Sequence, residues 1–89
     1  MWRKEIQKRN RSKVKQIRTE YLIFSKDQFN IETVFFAKLR KRIQQFGMKE
    51  PIRVLKLDDE NYLVLNGHHR LAAAIQLGLE YCPCLVEHD

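Results

Sequence analysis

Val64-Leu65-Asn66-Gly67-His68-His69-Arg70-Leu71-Ala72-Ala73 is the stretch on which the fold turns. Tyr62-Leu63-Val64-Leu65 is an unbroken apolar run of strand formers that stops at Asn66-Gly67, a turn pair. Beyond it Leu71, Ala74, Ile75 and Gly78 recur at i, i+3, i+4 and i+7, the spacing of one helix face. A strand, a tight turn and a helix start therefore follow one another within a few residues. Because the strand is apolar on both faces, it is expected to be central and covered twice. Ala72, Ala73 and Ala74 permit close packing of the helix on the sheet, and Gly78 is placed to end it.

A turn of this kind is also where an anion binds. It presents backbone N–H groups and the positive end of a helix dipole. Gly67 lets the backbone turn sharply and lets a ligand approach, and Arg70 offers a planar fork of donors suited to phosphate or carboxylate. His68 and His69 sit where the dipole disfavours the imidazolium, so they tend to neutrality until a phosphate favours protonation. Asn66, Gly67, His68, His69 and Arg70 are thus the candidate phosphate- or nucleotide-binding residues, and His68 and His69 the candidate catalytic acid and base. A plainer reading stands beside this one. In it Asn66 is only an N-cap, Arg70 a surface ion-pair partner and the histidines exposed bystanders, since neighbours on a helix point about 100° apart.

Working outward, residues 81–86 form a last strand in which Pro83 implies an edge or a strand start. Upstream, residues 52–57 and 62–65 read as a hairpin joined by Asp58-Asp59-Glu60-Asn61. Before them lies a helix with Asn30 as N-cap and Glu32 in its first turn. Phe35, Leu39, Ile43 and Phe46 make its core-facing stripe, and Gly47 and Pro51 end it. Tyr21-Leu22-Ile23-Phe24 reads as a short strand. The order is arm, β, α, β, β, α, β, a small α/β or α+β layer structure with a mixed sheet and packed helices.

The chain has 89 residues, which allows one small domain with a thin core. Its net charge of +6 is unevenly spread: residues 1–19 carry eight basic groups against Glu5, while residues 20–89 carry nine basic and ten acidic. Residues 1–19 are therefore a basic N-terminal arm and residues 20–89 the domain. At 100° per residue Trp2, Ile6, Asn10, Val14, Ile17 and Tyr21 share one arc of a helix, with Lys4, Lys8, Arg11, Lys15 and Arg18 opposite. Such an arm is a solvated helix docked by its apolar stripe, a nucleic-acid contact, or a surface lying on anionic lipid. For nucleic acid the candidate residues are Arg3, Lys4, Lys8, Arg11, Lys15 and Arg18. One Trp and one Ile make a poor membrane anchor.

No apolar run approaches the roughly 18 residues of a membrane span, and the charged start has no secretory h-region. Two cysteines do not make a disulfide framework, so a reducing cytoplasm is the expected compartment. Cys82 and Cys84 are expected to be buried small hydrophobes. With His68 and His69 they have no recognised metal spacing, so no zinc or other metal site is expected. Asp27, Glu32, Asp58 and Asp59 are acids near loop ends where Mg²⁺ could sit beside a nucleotide.

Gly67, Arg70 and Ala73, then Leu77-Gly78 and Pro83, resemble the Gly-x-x-Arg-x-x-Ala box and following segment of the ParB/sulfiredoxin superfamily. Phe46-Gly47 through Pro51-Ile52-Arg53-Val54 is similar to the helix end that precedes it there, so the resemblance spans about residues 31–86. It implies a stand-alone ParB-like domain, of the kind called ParB-like nuclease, holding nucleotide phosphates at Gly67, His68, His69 and Arg70. His68 occupies the position of sulfiredoxin's catalytic cysteine, which argues against sulfiredoxin chemistry. His68-His69 replaces the Glu-Arg of partition proteins, and no phosphate-contacting Gln-Pro-Arg segment is evident in residues 24–32.

The first expectation is a ParB-like domain that binds nucleotide or nucleic-acid phosphates at residues 66–70, with the arm adding DNA affinity. A nucleoside triphosphate with Mg²⁺ is its cofactor and DNA or nucleotide its partner; a homodimer is a further state the sequence leaves open. The alternatives are a phosphoryl-chemistry enzyme, nuclease or small-metabolite kinase, using His68, His69 and Arg70, and a protein-interaction module with an inactive box.

Overall fold

A computed structural model describes residues 14–25 and 33–88 of the chain. Five strands form one mixed sheet in the order β1-β5-β3-β4-β2: β1 Val14–Arg18, β2 Leu22–Ile23, β3 Ile52–Asp58, β4 Asn61–Asn66 and β5 Tyr81–Glu87. Two helices, α1 Val34–Phe46 and α2 His68–Leu77, complete an α+β architecture. β3 pairs antiparallel with β4 and parallel with β5, and β2 adds to β4 in parallel.

The first strand corrects the helical reading of the arm over its described part, residues 14–18. Val14–Arg18 pairs antiparallel with β5, from Val14 opposite Leu85 to Arg18 opposite Tyr81. Side chains alternate along a strand, so Val14 and Ile17, expected on one helical face, lie on opposite faces of the sheet. Ile17 enters the core while Val14 is half exposed. Lys15 and Arg18 are likewise split between the faces. A single 3-10 turn, Thr19–Tyr21, follows, and Thr19 prolongs the pairing through its N–H to Glu80 O (2.8 Å) and its hydroxyl to Leu79 O (2.7 Å). Arg3, Lys4, Lys8 and Arg11 lie outside the described residues, as do Asn30, Glu32 and Asp27.

One face of the sheet builds the core. Ile17, Leu22, Ile52, Val54, Tyr62, Val64, Cys82, Cys84 and Val86 meet Leu71 and Ala74 of α2. On its other side α2 turns Ala72 and Ala73 to Phe36 and Ile43 of α1. The alanines thus let α2 lie closely between sheet and α1, and the sequence of layers is sheet, α2, α1. Their small side chains make that middle position possible.

Three local expectations change. β4 is not covered twice: Tyr62 and Val64 are buried, whereas Leu63 and Leu65 are about two-fifths exposed on the opposite face. Hydrophobicity on both sides of a strand does not require cover on both sides when one face lies open. β5 is an interior strand rather than an edge, because β1 lies outside it; Pro83 comes just before the pairing with β3, which begins with Ile52 opposite Cys84. The N-cap of α1 is Thr33, whose hydroxyl accepts the Phe36 N–H at 3.0 Å.

Candidate functional site

The strand β4 ends at Asn66, and Gly67 turns the chain into α2 with φ +101° and ψ 26°. Only glycine takes this left-handed conformation without strain. Space is tight as well: a Cβ on Gly67 would stand 3.3 Å from the Cα and Cγ1 of Ile52 on β3. The strand-to-helix junction is therefore pressed against its neighbour strand. The first bond of α2 runs from the Leu71 N–H to Gly67 O (2.9 Å), so the amides ahead of it are directed out of the helix end. Gly67, not Asn66, is the N-cap residue, which sets aside the plain capping role for Asn66.

Arg70 is held in place by the backbone of the α1–β3 connection. Its Nη1 donates to Pro51 O at 2.9 Å and lies 3.8 Å from Glu50; its Nη2 reaches Asn66 Oδ1 at 3.4 Å. The two hydrogen bonds engage Nη1 and Nη2 and use two of the five N–H donors of the guanidinium, leaving donors for a ligand. Arg70 is thus preorganised rather than a loose surface cation.

Asn66, Gly67, His68, His69 and Arg70 line one cleft of about 470 Å³ together with Phe35, Leu39, Glu50 and Leu65. All five expected residues are brought together, the two histidines included, despite their divergence around the helix. The volume lies in the range of small-molecule sites. An adjoining groove of about 160 Å³ runs along α1 past Arg42, Ile43, Phe46, Met48 and Lys49, sharing Leu39, Glu50 and Arg70 with the first. Burial holds His68 below its ordinary value of 6.5, and the charge of neighbouring His69 lowers it further. His68 is therefore neutral at physiological pH.

Some wall residues are not evident from the sequence. The helical stripe places Phe35 and Phe46 in the core, but they are 66% and 65% exposed, while Phe36 is 2% exposed. The Phe35 and His69 rings stand nearly perpendicular, centroids 6.1 Å apart and planes at 84°. α1 carries two stripes side by side, one through Phe36 and Ile43 toward α2 and one through Phe35, Leu39, Arg42 and Phe46 toward the clefts. Apolar spacing alone does not separate a core stripe from a ligand wall. Glu50 has only one signal in the sequence, its position just before Pro51, where the chain re-enters the sheet.

Asp58 and Asp59, the two described acids of the four expected near Mg²⁺, lie elsewhere. Asp58 and Asp59 occupy the β3–β4 hairpin, at the opposite end of β4 from the turn, about 20 Å away at ~3.3 Å per residue. Asp58 is engaged by the Glu60 N–H (2.8 Å) and the Asn61 amide (2.8 Å), and Asp59 by Lys56 (3.2 Å). Among the described residues no group of three His, Cys, Asp or Glu could hold a metal ion. Cys82 and Cys84 are free and buried on the core side of β5. No helix of the described residues is long and apolar enough to cross a membrane.

Lys15 and Arg18, the described members of the nucleic-acid set, are differently placed. Arg18 pairs with Glu20 (2.7 Å) and lies against the rings of Tyr21 and Tyr81, 5.9 and 5.7 Å from their centroids. Lys15 is exposed on the face that carries the core.

A mixed five-stranded sheet with two packed helices and a strand-to-helix turn at the mouth of a cleft makes this an α+β domain of one sheet and two helices. The ParB N-terminal domain model matches residues 3–89, and the chain belongs to that family, within the ParB/sulfiredoxin superfamily. Among solved structures, sulfiredoxin from Arabidopsis thaliana superposes with a TM-score of 0.73 at 24% identity, over 85% of both chains. Chromosome-partitioning protein ParB from Caulobacter crescentus, complexed with CTP-gamma-S, gives 0.72 at 25% identity over 85% of this chain and 44% of that one. The same protein complexed to the centromeric parS site gives 0.67 at 28%, over 83% of this chain and 39% of that one. The chain thus spans less than half the length of the ParB structures. No curated protein matches it.

Proposed function

We propose that the domain binds a nucleotide, with its phosphates on the Gly67, His68, His69 and Arg70 turn and Asn66 helping to hold Arg70. The observation that carries this reading is the preorganised Arg70 beside the left-handed Gly67 turn, both facing one cleft. It agrees with the CTP-gamma-S complex of the related ParB. Helix-end amides and a fixed guanidinium are complementary to phosphate oxygens. A triphosphate arriving with Mg²⁺ brings the ion on its own oxygens, the usual habit of this metal.

Titration of the full chain with CTP and with ATP, each with Mg²⁺ and followed by amide NMR, tests the reading. Shifts should centre on residues 66–70, and Arg70→Lys should weaken binding at least tenfold, since a point charge does not replace the planar fork. Absence of any response to either nucleotide overturns it.

The arm is the second part of the proposal: Arg3, Lys4, Lys8 and Arg11, with Lys15 and Arg18, add DNA affinity through phosphate contacts, in line with the parS complex of the related ParB. Removal of residues 1–13 should then flatten the salt dependence of DNA binding by about 0.9 in log–log slope for each phosphate that is no longer neutralised. An unchanged slope contradicts this role.

The neutral state of His68 favours one further reading, in which it accepts a proton during phosphoryl transfer or phosphodiester cleavage. Nucleotide turnover or DNA cleavage abolished in His68→Ala, with binding retained, is its test.

A further inference from the structure

We infer that Phe35 is the stacking platform for the base of the nucleotide whose phosphates sit on the Gly67–Arg70 turn; the assignment rests on the nucleotide reading above. Phe35 is not spent on the core. It is 66% exposed one residue away from a fully packed Phe36, and helical geometry turns it about 100° from the core stripe. Large apolar side chains exposed at the wall of a polar cleft mark ligand contacts.

The ring also has a fixed attitude. Phe35 follows closely on the Thr33 cap, at the anchored end of α1, and its edge-to-face contact with His69 sets its orientation. A T-shaped contact covers at most one face of either ring, so His69 leaves at least one π-face of Phe35 uncovered. His69 stands on the phosphate turn itself, which puts platform and phosphate site within one side-chain contact of each other. Leu39, one turn along α1, and Leu65, at the end of β4, give the same cleft an apolar floor. A group with a planar ring at one end and anionic oxygens at the other matches this arrangement. Inorganic polyphosphate matches only half of it.

Phe46 offers a rival platform. It is 65% exposed in the adjoining groove near Arg42 and Lys49. It stands eleven residues along α1 from Phe35, some 16 Å at the helical rise, and lines the neighbouring groove instead of the cleft that holds the turn. The geometry therefore assigns the base to Phe35.

Binding of CTP, ATP and inorganic tripolyphosphate, each with Mg²⁺, is to be measured by calorimetry on the full chain and on Phe35→Ala, Phe35→Trp and Phe46→Ala. Stacking on an aromatic side chain contributes about 1–3 kcal/mol, or roughly 5- to 150-fold in affinity. Phe35→Ala should weaken binding of both nucleotides at least fivefold and leave tripolyphosphate unchanged, while Phe35→Trp restores nucleotide binding and reports it by fluorescence quenching. Equal weakening of all three ligands, no weakening at all, or a selective effect in Phe46→Ala instead overturns the assignment while leaving the phosphate site intact. If wild type binds tripolyphosphate but gains nothing from a base, the platform is likewise refuted. If it binds none of the three, the nucleotide reading itself falls and the platform with it.

Discussion

Replacing Gly67 with alanine probes the turn on two counts. The new Cβ must sit on a left-handed backbone and press on Ile52 at 3.3 Å, so the neighbouring strand or the turn must give by a few tenths of an ångström. Strain of this kind costs about 1–3 kcal/mol, so the stability measured in urea should fall by that amount. Gly47→Ala meets nothing within 4 Å of its Cβ, but φ of 81° and ψ of 173° strain it through the backbone alone. His68 makes a different demand, on protons. Burial and the charge of His69 hold it below 6.5 in the folded chain, so the unfolded chain takes up the proton first as pH falls. Its contribution to stability is thus intact above about pH 6.5 and declines as pH drops below that value. A bound anion reverses the preference and pulls His68 upward. Nucleotide binding near pH 6.5 should therefore be accompanied by proton uptake, visible as a dependence of calorimetric heat on buffer ionisation enthalpy. That dependence should vanish in His68→Gln.

At the scale of elements, α1 is anchored at its start by Thr33 and at its end by the Gly47 N–H to Ile43 O (2.9 Å). Thr33→Ala removes the side-chain acceptor for Phe36 and should cost about 1 kcal/mol in denaturant unfolding, with Thr33→Ser recovering most of it. The hairpin, the β4–turn–α2 unit, the Gly78 stop and β5 are all legible in the sequence, because each is announced locally by alternation, helical spacing or a turn residue. β1 is not. Each face of the strand holds a single apolar residue, Val14 on one and Ile17 on the other, and only pairing with residues 63 to 71 positions away makes it a strand. The core stripe of α1 is half legible for a related reason: spacing marks an apolar arc but not what fills it. Of the candidate site, the turn residues are readable because glycine, arginine and a helix start carry meaning in sequence. Phe35 and Glu50 are not, since their place in the cleft depends on how α1 and the α1–β3 connection close over the turn.

For the molecule as a whole, the core face of the sheet holds both thiols. Burial and the charge of Cys82 push Cys84 up to about 12; burial raises Cys82 as well, against the lowering effect of its contact with the Thr19 hydroxyl. Neither thiol ionises at neutral pH, so a thiol reagent should label both only as fast as the chain unfolds, measured against the denaturant-unfolded protein. The strand directions gather the clefts at one end of the sheet, since β4 finishes at the turn and β3, antiparallel to it, starts there. Asn66, Arg53, Leu85 and Val14 stand opposite one another across four strands. The start of β1 is thus three strand spacings from the turn, about 14 Å. A ligand engaging both must cross β5 and β3.

The pairing of β1 with β5 also has a mechanical side. Since β1 begins where β5 ends, tension between the segment before Val14 and the segment after Glu87 loads the Val14–Leu85 rung first. Each rung then yields in turn toward Arg18 and Tyr81. The strand therefore peels open like a zip under small force instead of shearing all its rungs together. The turn, which joins β4 to α2 and rests on β3, borders none of those rungs, so a pull that begins to strip this edge of the sheet leaves that corner under no direct load.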